Sequence, residues 1–195
     1  MDFKRVWYSL RLWAFTSPEK RADYLRKHHV YASIGTECSF QSRKVPLYAN
    51  LIRIGDHVRM AGNVSFLTHD MTHNVLNKYK NGNLRENVGC ISIGNNVFVS
   101  SGVIIHQGVS IGDNVIIGAG SVVESDIPSN SVVSGSPATV KCSLDVLYAI
   151  RKMQPSYPEG MRLRDGDFAT KEAAEYLWNE FEKKHRLKSA ESPKQ

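Results

Sequence analysis

The chain has 195 residues, 42% of them hydrophobic and 23% charged, with a net charge of +6. That is long enough for one domain with a sizeable core, and ordinary for a soluble globular protein. No apolar run approaches the ~20 residues of a membrane span, and three far-apart cysteines give no basis for a disulfide framework or a thiolate zinc site.

The same features set the expected compartment and partners. Cys38, Cys90 and Cys142 read as reduced thiols of a cytoplasmic protein. The N-terminal run VWYSLRLWAF carries Arg11 and no small-residue cleavage site follows it, which argues against a signal peptide. The positive charge is scattered over Lys4–Arg5, Arg26–Lys27, Arg43–Lys44 and a cluster at 183–188. No basic stripe interleaves with aromatics, so nucleic acid is not an expected partner. An anionic small molecule or an anionic lipid surface fits such a charge as well.

In chain order, residues 1–30 read as a helical segment. Phe3, Val6, Trp7, Leu10, Trp13 and Ala14 follow helical spacing and predict a face that packs on the core or on a neighbouring subunit. A basic amphipathic helix near a membrane surface is the alternative. Ser17 then reads as an N-cap with Pro18 at the first helical position, opening a second helix to about His29.

A period of six follows. It starts weakly at Ile34-Gly35 with Cys38, and is clearer at Ile54-Gly55 with Val58 and Met60-Ala61 with Val64. It runs unbroken from Ile93 through Val99, Ile105, Ile111 and Ile117 to Val123. An aliphatic residue holds the first position each time, and a small or branched one the fifth. This is neither the period 2 of an isolated strand nor the 3.6 of a helix. Short strands joined by tight turns, stacked in a parallel β-helix over 31–142, satisfy it. Glycine and asparagine between them are expected to supply left-handed corner conformations.

The register fails from His69 to Cys90. This polar stretch, with Asn81-Gly82 as a turn signal, cannot enter a narrow core and is expected to project from a corner as a loop over 69–90. Beyond the repeats, residues 143–188 read as a helical segment. Leu144 to Met153 is one candidate helix, and Pro155 and Pro158 break it. Thr170 is a candidate cap for a second, with Glu172 and Glu175 early and Lys183, Lys184 and Arg186 late to suit its dipole. Residues 189–195 read as a disordered tail.

The run IGDNVIIGAGSVVESDIPSNSVVSGSPATV closes the repeats, and with THD at Thr68–Asp70 it resembles the left-handed parallel β-helix acyltransferases. The branch it is most similar to holds the sugar O-acetyltransferases: galactoside and maltose acetyltransferases and their capsular or O-antigen relatives. The resemblance covers about 34–141. It implies an all-β core with helical additions at both ends, three hexapeptides per turn, and a homotrimer with sites between subunits. It also implies acetyl-CoA as co-substrate, a sugar or glycan acceptor, and no metal.

By the same resemblance the catalytic histidine lies at the base of the projecting loop. His69 fits the THD of the capsular branch, and His73 fits a gapped match to the galactoside branch. A sugar hydroxyl is a poor nucleophile until its proton is removed, and an imidazole, titrating ordinarily near ~6.5, is largely neutral at physiological pH and takes it. Direct transfer in one cleft needs no nucleophilic Ser or Cys. Asp70 is the candidate to orient the imidazole, as carboxylates do in other triads. The resemblance places Ser101 and Ala119 along the pantetheine arm and Phe98 where galactoside acetyltransferases carry tryptophan. It places Pro137 and Thr139 at the end of the groove and makes Lys141 a candidate for the phosphates. Glu124-Ser125 departs from a common Thr-Lys pair, which removes one familiar phosphate contact.

Other readings stay open beside this one. An amino sugar or an antibiotic could be the acceptor. A γ-class carbonic anhydrase shares the coil but needs three placed zinc ligands, and here only His106 follows the His69–His73 pair within the repeats. A non-catalytic scaffold is the remaining class. Serine acetyltransferase is disfavoured, because its large N-terminal helical domain has no counterpart.

Overall fold

A computed structural model describes residues 3–190. Its centre is set by one spacing: Val97 pairs with Val115, Ser92 with Ser110 and Ile104 with Val122, all in parallel. Stacked corner residues such as Asn95 and Asp113 are 18 positions apart, so three hexapeptides make one coil. The chain passes through three sheets in a fixed order, once per coil. The first holds Ser33–Ile34, Ile52–Ile54, Ile91–Ile93 and Ser110–Ile111. The second holds Ser39–Phe40, Arg59–Met60, Val97–Val99, Val115–Ile117 and Ser131–Ser134, with Thr139–Ser143 added antiparallel at its end. Among the described residues the third holds Ser65–Leu67, Ile104–His106 and Val122–Val123. This is the path of a parallel β-helix.

The period of six is a burial pattern. The first-position residues from Ile93 to Val123 and the fifth-position residues from Val97 to Ile127 are all buried, Ser121 included. Each fully buried Val or Ile contributes about 1.5–3 kcal/mol over an exposed one, so the repeated position in the sequence is the repeated inward position in the coil. The corners divide their work in a way the sequence reading did not separate. Asn96, Asn114 and His57 take the left-handed conformation. The glycines before them do not; they are required by stacking. A Cβ on Gly94 would stand 2.8 Å from the carbonyl carbon of Gly112, and one on Gly55 would stand 2.7 Å from the oxygen of Gly94. The corner amides also form ladders, with Asn96 Nδ2 donating to Asn114 Oδ1 at 2.8 Å and Asn114 Nδ2 to Asn130 Oδ1 at 3.0 Å.

The open first coil is covered by the N-terminal helices, α1 (Phe3–Leu12) and α2 (Pro18–Lys27). Ser17 caps α2, its side chain accepting from the Lys20 N–H, and Pro18 opens the helix. Ala22 and Leu25 of α2 join Tyr31 and Phe40 in the core. Arg21 is buried among carbonyls and donates to the oxygens of Phe40, Phe15 and Thr16, which satisfies a charge that would otherwise be costly inside. The face expected to pack in α1 is not the buried one. Phe3, Trp7, Leu10 and Trp13 are exposed within this chain, and Leu12 is the residue that is fully buried.

The insertion after the third sheet carries α3 (Thr72–Lys80) between two short strands, His69–Asp70 and Asn87–Val88. After the last strand of the second sheet, α4 (Leu144–Lys152) follows, and the Leu144 N–H donates to the Asn130 oxygen. The chain divides into two compact units after Lys152, so α4 goes with the coils. The second unit holds a hairpin, Arg164–Asp165 with Phe168–Ala169, that the helical reading of 143–188 did not include. It then forms α5 (Lys171–Ala190), whose first turn is capped by Thr170 Oγ1 accepting from the Ala173 N–H. Helix α5 therefore takes in Ser189 and Ala190, where the sequence predicts a disordered tail; the rest of that tail lies outside the described residues. No helix among the described residues is long and apolar enough to cross a membrane.

Candidate active site

The insertion leaves and re-enters the coil at one corner. Thr68 is fully buried there, its Oγ1 donates to the Leu47 oxygen at 2.8 Å, and its own carbonyl accepts from the Gly89 N–H at 3.0 Å. His69 then pairs with Val88 and Asp70 with Asn87, antiparallel. The segment is ordered: α3 ends at Asn81 in the left-handed conformation, and Asn77 brackets Leu84 with two hydrogen bonds. Its apolar side chains, Met71, Val75, Leu76 and Tyr79, point to solvent within this chain.

His69 is half-buried at this base. Its Nδ1 is buried and has no hydrogen-bond partner among the described residues. The Tyr48 ring meets the imidazole edge-on, with centroids 5.5 Å apart at 89°. Tyr48 is itself held from both sides. It sits in the left-handed region (φ 51°) at the same corner one coil earlier, and its hydroxyl donates to Glu86 Oε2 at 3.2 Å on the returning limb of the insertion. That hydrogen bond to a carboxylate raises the pKa of the Tyr48 phenol.

Asp70 makes no hydrogen bond to His69. One oxygen accepts from the Thr72 N–H at 2.9 Å and from the Thr72 hydroxyl; the other accepts from Asn87 Nδ2 at 2.8 Å and Gln107 Nε2 at 3.1 Å. Four donors favour the charged form and hold the carboxyl down at about 2, with the Thr72 side-chain bond the largest cause. Asp70 thus ties three pieces together: the start of α3, the returning strand and the coil below. In this structure it orients the loop rather than the imidazole. His73 lies one turn further out, at the second residue of α3. It too is half-buried with an unpartnered Nδ1.

The residues assigned to acetyl-CoA fall in three places. Ser101 and Ala119 stack at the corner between the second and third sheets, where the Gly120 N–H donates to the Ser101 oxygen at 2.9 Å. The N–H groups of Ser101 and Ala119 themselves make no hydrogen bond among the described residues. Gly135, whose carbonyl accepts from the Val122 N–H at 2.9 Å, continues that edge toward the exposed Pro137. Thr139 and Lys141 lie on the strand after it, with Lys141 Nζ donating to Thr139 Oγ1 at 2.8 Å. Phe98 is apart from these. Its ring is partly exposed in a cleft of about 210 Å³ on the second sheet, beside Arg59, Ile116 and Leu144. His69 occupies a different edge, at the far end of the third sheet. The Gly62 corner, which accepts from the Gly102 N–H, and His69 lie beyond opposite ends of the strand Ser65–Leu67.

Tyr48, Glu86, Asn87 and Gln107 were not singled out by sequence reasoning. Glu86 and Asn87 lie in the polar stretch, and Gln107 sits at an ordinary corner position. Among the described residues no group of three His, Cys, Asp or Glu is placed to hold a metal ion.

A profile of the bacterial transferase hexapeptide family (six repeats) matches residues 90–125. CapG of Staphylococcus aureus is 42% identical over 119 residues, which is 60% of this chain and 67% of CapG. Among solved structures, a maltose O-acetyltransferase from Clostridium difficile 630 is 30% identical with a TM-score of 0.51, covering 72% of this chain and 86% of that one. A galactoside acetyltransferase in complex with coenzyme A is 25% identical with a TM-score of 0.51, covering 85% and 93%. Two further curated relatives are matched over less than half their own length. The chain belongs to the hexapeptide-repeat transferase family, and it is an acyltransferase of that family. Membership implies that the coils wind left-handed.

Proposed function

We propose that this chain transfers the acetyl group of acetyl-CoA to a hydroxyl of a sugar in a glycan or glycan precursor, of the capsule or O-antigen kind, with His69 as general base. The observation that carries this is the loop base. A half-buried imidazole, its Nδ1 turned inward, packs edge-on against Tyr48, and the loop around it is fastened by Asp70. In the reaction His69 takes the hydroxyl proton as the sugar oxygen attacks the thioester carbonyl. The tetrahedral oxyanion collapses, the carbon–sulfur bond breaks, and the imidazolium returns the proton to the departing thiol. The unpaired N–H groups of Ser101 and Ala119 suit the amide carbonyls of a pantetheine arm, and Lys141 suits its phosphates. Pro137, Thr139 and Phe98 would line the same donor.

A homotrimer is part of this reading. The histidine edge and the free-amide edge lie at opposite sides of the third sheet, so a second copy that offers its amides to the first copy's histidine completes the site. The exposed Val75, Leu76 and Tyr79 of the projecting α3 give that copy an apolar surface to meet. The reading also places the enzyme in the cytoplasm, where free thiols such as Cys38, Cys90 and Cys142 persist.

The test is His69→Ala. Loss of a general base lowers turnover by about 10²–10⁴, and the variant should keep its unfolding temperature, its oligomeric state and its stabilisation by acetyl-CoA. Near-normal thiol release from acetyl-CoA would overturn the assignment and move it to His73, which His73→Ala then checks.

A further inference from the structure

The third sheet begins one coil late. The first and second sheets start at Ser33 and Ser39, but the third has no strand before Ser65. The segment 41–48 that would have formed it swings outward and is pinned to α1, where the Val45 N–H donates to Ser9 Oγ at 3.1 Å. The space left is a cavity of about 370 Å³, within the range of small-ligand sites. Its floor is apolar, built from Phe40, Met60 and Phe66. Arg5, Ser42 and Lys44 stand around it, and among the described residues no acidic side chain lines it.

Among the described residues the two cations are uncompensated. Neither side chain makes an ion pair or hydrogen bond among the described residues, and Arg5 Nε is buried without a partner. An unmatched positive charge at a partly enclosed apolar wall attracts an anion more strongly than the same charge in open water. The cavity's lining is continuous in chain with the proposed base. Two segments that line it, Val45–Pro46 and Ser65–Leu67, continue into Tyr48 and His69, and Thr68 ties one to the other through Leu47.

We infer that this cavity receives an acceptor sugar bearing an anionic substituent, with Arg5 and Lys44 on the charge and the apolar floor under the ring. This rests on the acetyl-transfer reading and names its substrate class. A carboxylate and a phosphate are both served by Arg through paired N–H donors, so the test carries an arm for each. Binding of glucose, glucuronate and glucose 1-phosphate is measured by calorimetry at low and at 0.5 M salt, on the full chain and on the Arg5→Gln/Lys44→Gln double variant. The expected result is at least tenfold tighter binding of one or both anions than of glucose. That preference should fall below twofold in the double variant and at high salt, and should fall only in part in Arg5→Lys, which keeps the charge and loses the paired donors. A carboxylate-only or a phosphate-only preference identifies the source of the charge. Equal binding of glucose, no binding of either anion, or an undiminished preference in a folded double variant overturns the inference. Thermal stabilisation by acetyl-CoA is read on the same samples. If it persists while the anion preference is absent, the substrate class alone is wrong; if it is absent, acetyl transfer itself fails.

Discussion

The regular coils and the 69–90 insertion are held together by different forces. In the coils every sixth residue is aliphatic and buried, and each coil repeats the contacts of the one before. In the insertion from Met71 to Asn87 no residue is buried, and order depends on a few polar fasteners: Asp70 with four donors, Asn77 across the turn, and Tyr48 to Glu86. Apolar burial is non-directional and additive along a stack. A hydrogen-bonded loop is directional and depends on individual atoms. The scaffold therefore has redundancy, and the site that sits on it has little.

This contrast can be tested by changing one side at a time. The largest effect on turnover should come from His69→Ala, a loss of about 10²–10⁴ with unfolding temperature unchanged. The largest effect on stability should come from the coils. Ile105→Ala, at a fully buried inward position, should cost about 2–5 kcal/mol in chemical denaturation. Gly94→Ala, whose Cβ would press on the next coil's backbone, should cost about 1–3 kcal/mol by overpacking. Either variant losing activity before it loses stability would break the separation of the two regions.

Asp70→Ala should show the reverse pattern to Ile105→Ala. Turnover should fall by about tenfold, on the scale of lost hydrogen bonds to a charged group, while the unfolding midpoint stays close to that of the parent. A large drop in the midpoint would mean that the insertion supports the coils. The smallest expected effect concerns pH. The pKa of Asp70 in the folded chain, about 2, lies below its ordinary 3.8. Its fastening is therefore fully present above the ordinary value and is lost as the pH falls through about 2. The amide resonance of Thr72, which donates to Asp70, should titrate near 2. A midpoint near 4 would show that the four donors do not hold the charge.

The coil was legible because its determinant is local and repeated. Ile93, Val99, Ile105, Ile111, Ile117 and Val123 display their period in one dimension, and the period alone specifies which side chains face inward. The insertion was legible as an interruption of that period. Its content was less so, because the partners of Asp70 come from Thr72, Asn87 and Gln107, on three separate stretches of chain. The exposed aromatic face of α1 shows the same limit: Phe3, Trp7 and Leu10 have the spacing of a buried stripe, and the spacing does not say what they meet.

By itself the sequence determined the repeat, the inward residues, the place of the interruption and the capped start of α2, because hydrophobic period and capping chemistry act between near neighbours. Only the tertiary structure decided what Asp70 holds, that Tyr48 backs His69, and that a missing first strand in the third sheet leaves a cavity rimmed by Arg5 and Lys44. Those features join residues tens of positions apart, and their contacts exist only after the coils have stacked.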